Sequence, residues 1–567
     1  MTSEEREQIY SNEYFDLIIE YNGDPYILEA YQGFVITIIN FFLAIVYIPV
    51  GMINEESISK LGYAVFPNLF GLISDSSLES SGITRLRRIP DFEFRGKGVL
   101  IGFLDSGIDY TNPVFQYADH TTKIVRLWDQ SINSNQTPAG ISYGTEYTRE
   151  QINEALKSET PYLAIPSKDE VGHGTMVAGI AAGNEVPESG FYGVAPDAEI
   201  VFVKLKRAKQ NLTSYFRIPE EAISYQENDL MFAYQYLLNV AYELNRPLVI
   251  CNAIDTSQYA HDGRGTTSNW LSLRATNIGI AVICAVGNEG NTRRHYSGVV
   301  NPVNGYDTVE LYVGPGARGF SMELWGASPN LFTLDIASPA GEYIPRIEIK
   351  LFETREVTFI FEPTIIYIDY TLAEAQSGDQ LILLRFSNPS QGIWKFKVYG
   401  RGIEPMRYNI WLPMNNFITP DTYFIRSDPY VTLLSISTAP IPITVTAYND
   451  ADDSLYMNAG RGYTRLGDTK PDIAAPGVGI IAPDLNHGFV AVSGTSASAA
   501  HTAGAAAMLF EWGIINGRYP DMNTQDMKVF MIRGARRNST LNYPNRDWGY
   551  GILDVYNIFE SLRTGIY

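Results

Sequence analysis

Residues 99–109 read VLIGFLDSGID, an apolar run that ends on Asp105. Three more short apolar runs follow at residues 200–205, 247–251 and 280–286, with helical stretches between them. Strands that are apolar throughout are buried on both faces, which is typical of a parallel sheet covered by helices. The pattern predicts an α/β fold and puts Asp105 at the carboxyl end of a strand, where open α/β sheets place their sites.

The middle of the chain has a different pattern. Residues 301–449 alternate apolar and polar side chains between turn signals, as in RIEIKLF and IWKFKVY, which predicts an antiparallel β-sandwich or jelly roll. A helical pattern returns after Lys470, notably at residues 496–512. We therefore expect an α/β core split into residues 77–300 and 450–567, with the β domain inserted between them.

The first 76 residues predict a small α+β unit. Within it, residues 34–50 (FVITIINFFLAIVYIPV) are long enough to raise the alternative of a short membrane helix. The β-branched and aromatic residues, with Asn40 in the middle, favour two buried strands joined by a turn near Asn40. Residues 1–10 lack the cationic start and apolar core of a signal peptide, so we expect intracellular synthesis without Sec export.

Charge and cysteine content exclude some functions. The 567 residues include 63 acidic and 42 basic side chains, a net charge of −21, which disfavours a nucleic-acid partner. Cys251 and Cys284 lie in apolar runs and predict no disulfide framework. No spaced set of oxygen ligands resembles a calcium loop, so we predict no metal and no cofactor.

Four short motifs carry chemically useful side chains. They contain Asp105 (LDSGID), His173 (GHGTMVAG), Asn288 (VGNEG) and Ser496 (SGTSASAA). Each has a structural explanation when taken alone; Ser496, for example, is suited to cap a helix. Together they place an acid, a base and a nucleophile at strand–helix junctions of one α/β domain, which indicates nucleophilic catalysis.

The four motifs resemble those of the subtilisin-type serine proteases. The resemblance implies that Asp105 orients the imidazole of His173, that His173 takes the proton of Ser496 Oγ, and that Ser496 attacks the scissile carbonyl of a protein substrate. It also implies that Asn288 donates its side-chain amide to the oxyanion, together with the backbone N–H of Ser496.

Within that family, the whole chain is similar to the clostridial germination proteases. The similarity includes residues 78–115, the serine motif and the β insertion. It implies that residues 1–76 are a propeptide that assists folding, is cut autocatalytically near Ser76–Ser77, and can stay bound. It further implies spore association and a restricted substrate, the precursor of a spore cortex-lytic enzyme.

One departure concerns the substrate-binding strand. Ala253, Ile254 and Asp255 stand where the family normally has Ser-Leu-Gly. Substrate adds to that edge as an extra strand, and glycine lets its backbone come close. Asp255 adds a side chain and a negative charge beside the expected S1 region. Either basic residues are favoured there or the cleft is partly closed, which leaves as the alternative function a catalytically weak or inactive sensor or scaffold.

Overall fold

The structure, a computed structural model, describes residues 1–73 and 94–563; the expected processing site at Ser76–Ser77 lies outside these ranges. The N-terminal unit consists of α1 (Ser3–Tyr10), β1 (Tyr14–Glu20), α2 (Pro25–Glu29), β2 (Val35–Ile38), β3 (Leu43–Pro49), α3 (Ser57–Leu61) and β4 (Leu69–Leu72). Its first three strands form an antiparallel sheet in the order β1-β3-β2.

The two strands predicted within residues 34–50 are present as β2 and β3, but only β3 is buried as expected; in β2 only Thr37 is buried, and Ile38 is exposed. Asn40 makes the turn between them, because its Oδ1 accepts the backbone N–H groups of Phe42 (2.8 Å) and Leu43 (3.2 Å). In the part of the chain that the structure describes, no helix has the length and apolar character needed to cross a membrane.

The core contains a nine-stranded, mostly parallel sheet. Its main path runs β25-β24-β12-β10-β5-β8-β6-β7, and β26 also pairs with β24. The bounds are β5 (Leu100–Asp105), β6 (Ile124–Asp129), β7 (Thr145–Thr148), β8 (Glu199–Lys204), β10 (Leu248–Asn252), β12 (Ile280–Ala285), β24 (Ile443–Asn449), β25 (Ser454–Leu455) and β26 (Ile473–Pro476).

Helices cover both faces of this sheet. The helices that follow the N-terminal unit are α4 (Arg149–Leu156), α5 (Pro161–Ala164), α6 (His173–Ala182), α7 (Gln210–Tyr215), α8 (Glu227–Leu244), α9 (Thr266–Arg274), α10 (Thr495–Phe510), α11 (Thr524–Gly534) and α12 (Val555–Arg563). Along β5, Ile101 and Phe103 join the apolar cluster that contains α6 and α10, whereas Leu100 and Leu104 join the cluster that contains α8. This alternation confirms the α/β fold with strands buried on both faces.

The inserted domain is a sandwich of two antiparallel sheets, in the orders β13-β22-β15-β20-β19-β18 and β17-β16-β21-β14-β23. Its strands are β13 (His295–Val299), β14 (Tyr306–Val313), β15 (Gly319–Gly326), β16 (Leu331–Ala337), β17 (Tyr343–Ile344), β18 (Arg355–Thr358), β19 (Ile365–Thr371), β20 (Gln380–Ser387), β21 (Gly392–Arg401), β22 (Arg407–Trp411) and β23 (Tyr423–Phe424).

The predicted bounds of the insertion need correction at both ends. β24, which the sequence pattern assigned to the inserted domain, lies in the main sheet, where it pairs in parallel with β12. β13, assigned to the core, pairs with β22 in the sandwich. The alternating run ITVTAYN resembles a half-buried strand, but its threonines Thr444 and Thr446 are themselves buried. In this strand, polar and apolar residues alternate in the sequence, but both kinds are buried.

Candidate active site

Asp105, His173 and Ser496 are brought together at the carboxyl edge of the main sheet. Asp105 is the last residue of β5, His173 the first of α6, and Ser496 the second of α10. Close approach of the loops depends on Gly174, because a Cβ there would lie 2.1 Å from the carbonyl oxygen of Gly107.

The three side chains form a hydrogen-bonded chain. His173 Nδ1 lies 2.8 and 2.9 Å from the two carboxylate oxygens of Asp105, and His173 Nε2 lies 3.2 Å from Ser496 Oγ. All three residues are buried, with at most 4% of their surface exposed. The order of contacts is that of an acid that orients a base, which in turn contacts a nucleophile.

The environment of His173 acts on its proton affinity in two directions. Burial by itself lowers the pKa of the imidazole, but the charge and hydrogen bond of the Asp105 carboxylate more than offset that effect. The pKa of His173 is therefore raised above its ordinary value of 6.5. Such a ring is a stronger proton acceptor than a free imidazole.

Asn288 lies just beyond β12 and beside the start of α10. Its Oδ1 accepts hydrogen bonds from the backbone N–H of Thr495 (3.2 Å) and from Thr495 Oγ1 (3.1 Å). These contacts orient the amide and leave Nδ2 buried, and no acceptor among the described residues pairs with it. Asn288 thus holds an uncommitted donor next to Ser496, which is what an oxyanion site requires.

The N-terminal unit ends in the cleft. β4 is the middle strand of a three-stranded antiparallel sheet, between β9 (Tyr225–Gln226) and β11 (Ile254–Asp255). The next residue, Ile73, donates its N–H to the carbonyl of Ala253 (3.3 Å), and its own carbonyl accepts from Ser496 Oγ. Residues 69–73 therefore occupy the place of a substrate strand, with the Ile73 carbonyl at the nucleophile.

Asp255 has a structural role that the sequence analysis did not foresee. Its backbone pairs with Gly71 of β4, while its fully buried carboxylate accepts the N–H groups of Thr256 (2.8 Å), Ile436 (2.9 Å) and Ser437 (3.0 Å). Burial raises the pKa of Asp255 to about 7. The carboxyl group is therefore hydrogen-bonded to the turn at residues 436–438 and is not exposed at the surface.

The second wall of the cleft and the segment that occupies the cleft were not predicted from the sequence. Tyr225 and Gln226 form too short a strand to give a periodic signal, and only their pairing with β4 identifies them. Ile73 had a usable signal, because the apolar run LFGLI at residues 69–73 directly precedes the polar run SDSSLESS. An extended apolar segment just ahead of a candidate cleavage region fits a substrate-like strand.

Comparisons with known proteins identify the family and the fold. The subtilase family (peptidase S8) matches residues 96–310 and 431–551, on either side of the inserted domain. The structure of the CspB protease of Clostridium perfringens matches with a TM-score of 0.74 and 29% identity, over 84% of this chain and 95% of that chain.

More distant relatives are longer than this chain. C5a peptidase of Streptococcus pyogenes serotype M18 is 22% identical over 507 residues, which cover 82% of this chain and 40% of the relative. Subtilisin-like protease SBT3 of Solanum lycopersicum is 24% identical over 481 residues, covering 76% of this chain and 58% of the relative. The chain thus spans about two fifths of the length of the first of these relatives.

The family match takes in more than half of the chain and contains Asp105, His173, Asn288 and Ser496. Together with the fold shared with the CspB protease, it confirms the resemblance drawn from the motifs. The chain belongs to the subtilase family of serine endopeptidases.

Proposed function

We propose that this chain is a serine endopeptidase that first cleaves itself after Ile73 and then acts on a restricted protein substrate. The observation that carries the proposal is the contact between the Ile73 carbonyl oxygen and Ser496 Oγ. The peptide bond between Ile73 and Ser74 is the one that this contact presents to the nucleophile. This position replaces Ser76–Ser77 as the proposed processing site.

The proposed reaction uses each group in turn. Ser496 Oγ attacks the Ile73 carbonyl carbon while His173 Nε2 takes the hydroxyl proton, and Asp105 stabilises the imidazolium that forms. The negative charge on the carbonyl oxygen is received by Asn288 Nδ2 and by the backbone N–H of Ser496. His173 then gives its proton to the amino group of Ser74, which leaves. Water, activated by the same imidazole, hydrolyses the acyl-enzyme.

We further propose that the N-terminal unit stays bound after the cut and inhibits the enzyme. Asp16 in β1 forms a buried ion pair with Lys209, which also donates to the carbonyls of Gln8 (2.8 Å) and Tyr14 (3.1 Å). Nearer the cleft, the buried Glu227 accepts the backbone N–H of Asn68 (3.1 Å). These contacts do not involve the bond that is cut, so hydrolysis leaves them in place.

The proposed physiological role follows the similarity to the CspB protease. We propose spore association and cleavage of the precursor of a spore cortex-lytic enzyme during germination. The alternative, an inactive sensor or scaffold, was motivated by a charge from Asp255 in the cleft. Because that carboxylate is buried on backbone N–H groups, it lends the alternative no support.

Mass spectrometry of the purified full-length chain tests the proposal. Wild type should yield fragments that end at Ile73 and begin at Ser74, whereas Ser496→Ala should stay intact. Ser498→Ala is the matched control, since Ser498 lies on the same helix and donates to Ala475 O (3.1 Å) instead of facing His173. A Ser496→Ala chain that is cut after Ile73 at the wild-type rate would show that Ser496 is not the nucleophile.

A further inference from the structure

We propose that Met414 and Phe417 of the inserted domain make the cleft select glycine at the third residue before the scissile bond. This inference rests on the proposed self-cleavage after Ile73, which makes Gly71 that third residue. It adds a specificity determinant, supplied by the inserted domain, to the strand pairing that binds the peptide.

The direction in which each side chain of β4 points follows from strand geometry. Successive residues face opposite sides, so Phe70 and Leu72 share one face and Gly71 has the other. Phe70 is fully buried in the apolar cluster that includes Tyr225 and Ile254. Position 71 consequently lies on the face opposite Phe70, toward Met414 and Phe417.

The inserted domain occupies the space that a side chain at position 71 would need. A Cβ atom on Gly71 would lie 3.1 Å from Met414 Sδ, 3.2 Å from Met414 Cε and 3.2 Å from Phe417 Cζ. These distances are tighter than ordinary carbon contacts, so both neighbours would have to move. Gly71 is not among the glycines with a positive φ, so the requirement comes from space and not from backbone conformation.

The segment that carries these two side chains is hydrogen-bonded to the core at two points. Ser257 Oγ donates to the carbonyl of Leu412 (3.1 Å), next to the strand that binds the peptide. The backbone N–H of Asn415 donates to Glu289 Oε1 (2.9 Å), next to Asn288. Met414 and Phe417 are themselves 3% and 2% exposed. The two hydrogen bonds flank Met414, and the burial of both side chains leaves them little free space into which to move.

The substrate class follows from these contacts. The cleft takes an extended segment with glycine third and a large apolar residue fourth before the scissile bond, as in the run Phe70-Gly71-Leu72-Ile73. Subtilase cleavage depends on antiparallel pairing of the peptide with the cleft strands, and the inserted domain adds a limit on side-chain size to that pairing.

Self-cleavage of full-length variants tests the inference. Gly71→Ala should lengthen the half-time of processing about fivefold or more, and Gly71→Val further, because overpacking a confined site is destabilising. Gly51→Ala is the matched control in the same unit, since a Cβ there would meet nothing within 4 Å. Its half-time should equal that of wild type. Half-times are read by mass spectrometry after dilution from denaturant.

Removal of the obstacle should restore the rate. Gly71→Ala combined with Met414→Ala, or with Phe417→Ala, should process within about twofold of the corresponding single alanine variant of the inserted domain. If Gly71→Ala alone does not fold, as judged by circular dichroism with Ser496→Ala, these double variants decide the question. Absence of rescue by both overturns the inference.

The outcomes separate this inference from the proposed function. A wild-type chain that is never cut after Ile73 contradicts the proposed self-cleavage. If the wild-type chain is cut, and Gly71→Ala and Gly71→Val are processed with the same half-time as wild type, only the glycine selection is contradicted.

Discussion

Tyr63 of the N-terminal unit places its hydroxyl 2.7 Å from Oε1 of Glu323 in the inserted domain, and both side chains are buried. The same hydroxyl lies 2.9 Å from Asn68 Oδ1. The Tyr63 hydroxyl donates to the Glu323 carboxylate, whose other oxygen accepts the indole N–H of Trp325 (3.0 Å) and the backbone N–H of Tyr259 (3.1 Å). Burial raises the pKa of Glu323 to about 7, because the hydrogen bonds that the carboxylate accepts offset only part of the effect of burial.

Stability should therefore fall as the pH rises. The folded chain keeps the proton on Glu323 up to about pH 7, whereas the unfolded chain releases it near pH 4.5. The contribution of Glu323 to the free energy of unfolding is therefore fully present below pH 4.5 and is lost as the pH rises to about 7. The shift corresponds to about 3 kcal/mol at most. We expect Glu323→Gln, in a Ser496→Ala chain, to lose less stability than its parent between pH 4.5 and 8, by chemical denaturation.

Burial also raises the pKa of Glu227, so this residue too makes stability fall as the pH rises. The Gln variant is informative for that reason. Both chains retain Glu227, so the difference between them isolates Glu323. Identical pH dependence in the two chains would contradict a protonated Glu323.

Asn288 should matter for rate far more than for folding. In subtilisin, loss of one oxyanion donor costs about 10²–10³ in kcat. We expect Asn288→Asp, which keeps an acceptor for Thr495 and loses the amide donor, to slow self-cleavage by a similar factor. Mass spectrometry of samples quenched at successive times gives the rate of self-cleavage. Thermal unfolding of the uncut chains gives their stability. A normal rate would mean that Nδ2 has no role at the oxyanion.

The buried pair of Asp16 and Lys209 should hold the N-terminal unit in place after cleavage. Asp16→Ala leaves the Lys209 ammonium without its carboxylate, a change that typically costs about 3–5 kcal/mol at a buried site. We expect the cleaved unit to dissociate, so that it separates from the rest of the chain on size exclusion.

Glu56→Ala provides the comparison within the same unit. Glu56 pairs with Lys60 at the surface, where both side chains are 52% exposed, and such pairs contribute about 1 kcal/mol or less. The cleaved unit of this variant should co-elute as in wild type. Equal retention of both variants would show that the buried pair is dispensable.

Replacement of Asp255 by the glycine that is usual in the family should lower the stability of the folded protein. The carboxylate is the acceptor for the N–H groups of Ile436 and Ser437, and removal of a buried acceptor costs about 1–3 kcal/mol for each group left unsatisfied. We expect Asp255→Gly to lower the thermal midpoint in a Ser496→Ala background. Asp255→Asn, which retains an acceptor oxygen, should lower it less; an unchanged midpoint in both would rule out this capping role.

The parts of the site that could be predicted from sequence are those written in short contiguous motifs. Asp105, His173 and Ser496 each sit in a characteristic run of small residues, because close approach of loop and helix restricts the neighbours as well as the functional residue. The buried strands were predictable for a similar reason, since burial on both faces leaves a local trace in hydrophobicity.

Other features depend on contacts between distant segments and leave no such trace. The occupant of the cleft is defined by pairing of β4 with β9 and β11, which come from three separate parts of the chain. The orientation of Asp255 depends on a turn about 180 residues away in sequence. Nothing in the sequence around Met414 and Phe417 indicates that these apolar side chains lie next to Gly71; only the fold shows it.

Because β4 is the central strand of its small sheet, it is hydrogen-bonded along both edges and is covered by the inserted domain. The Ile73 carbonyl reaches Ser496 only when the N-terminal unit, both walls of the cleft and the serine helix have assembled. Under the proposed function, each cut is then an irreversible record that one molecule has reached its native arrangement. The cleaved fraction in a preparation would count correctly folded molecules, and the enzyme would serve as its own folding reporter.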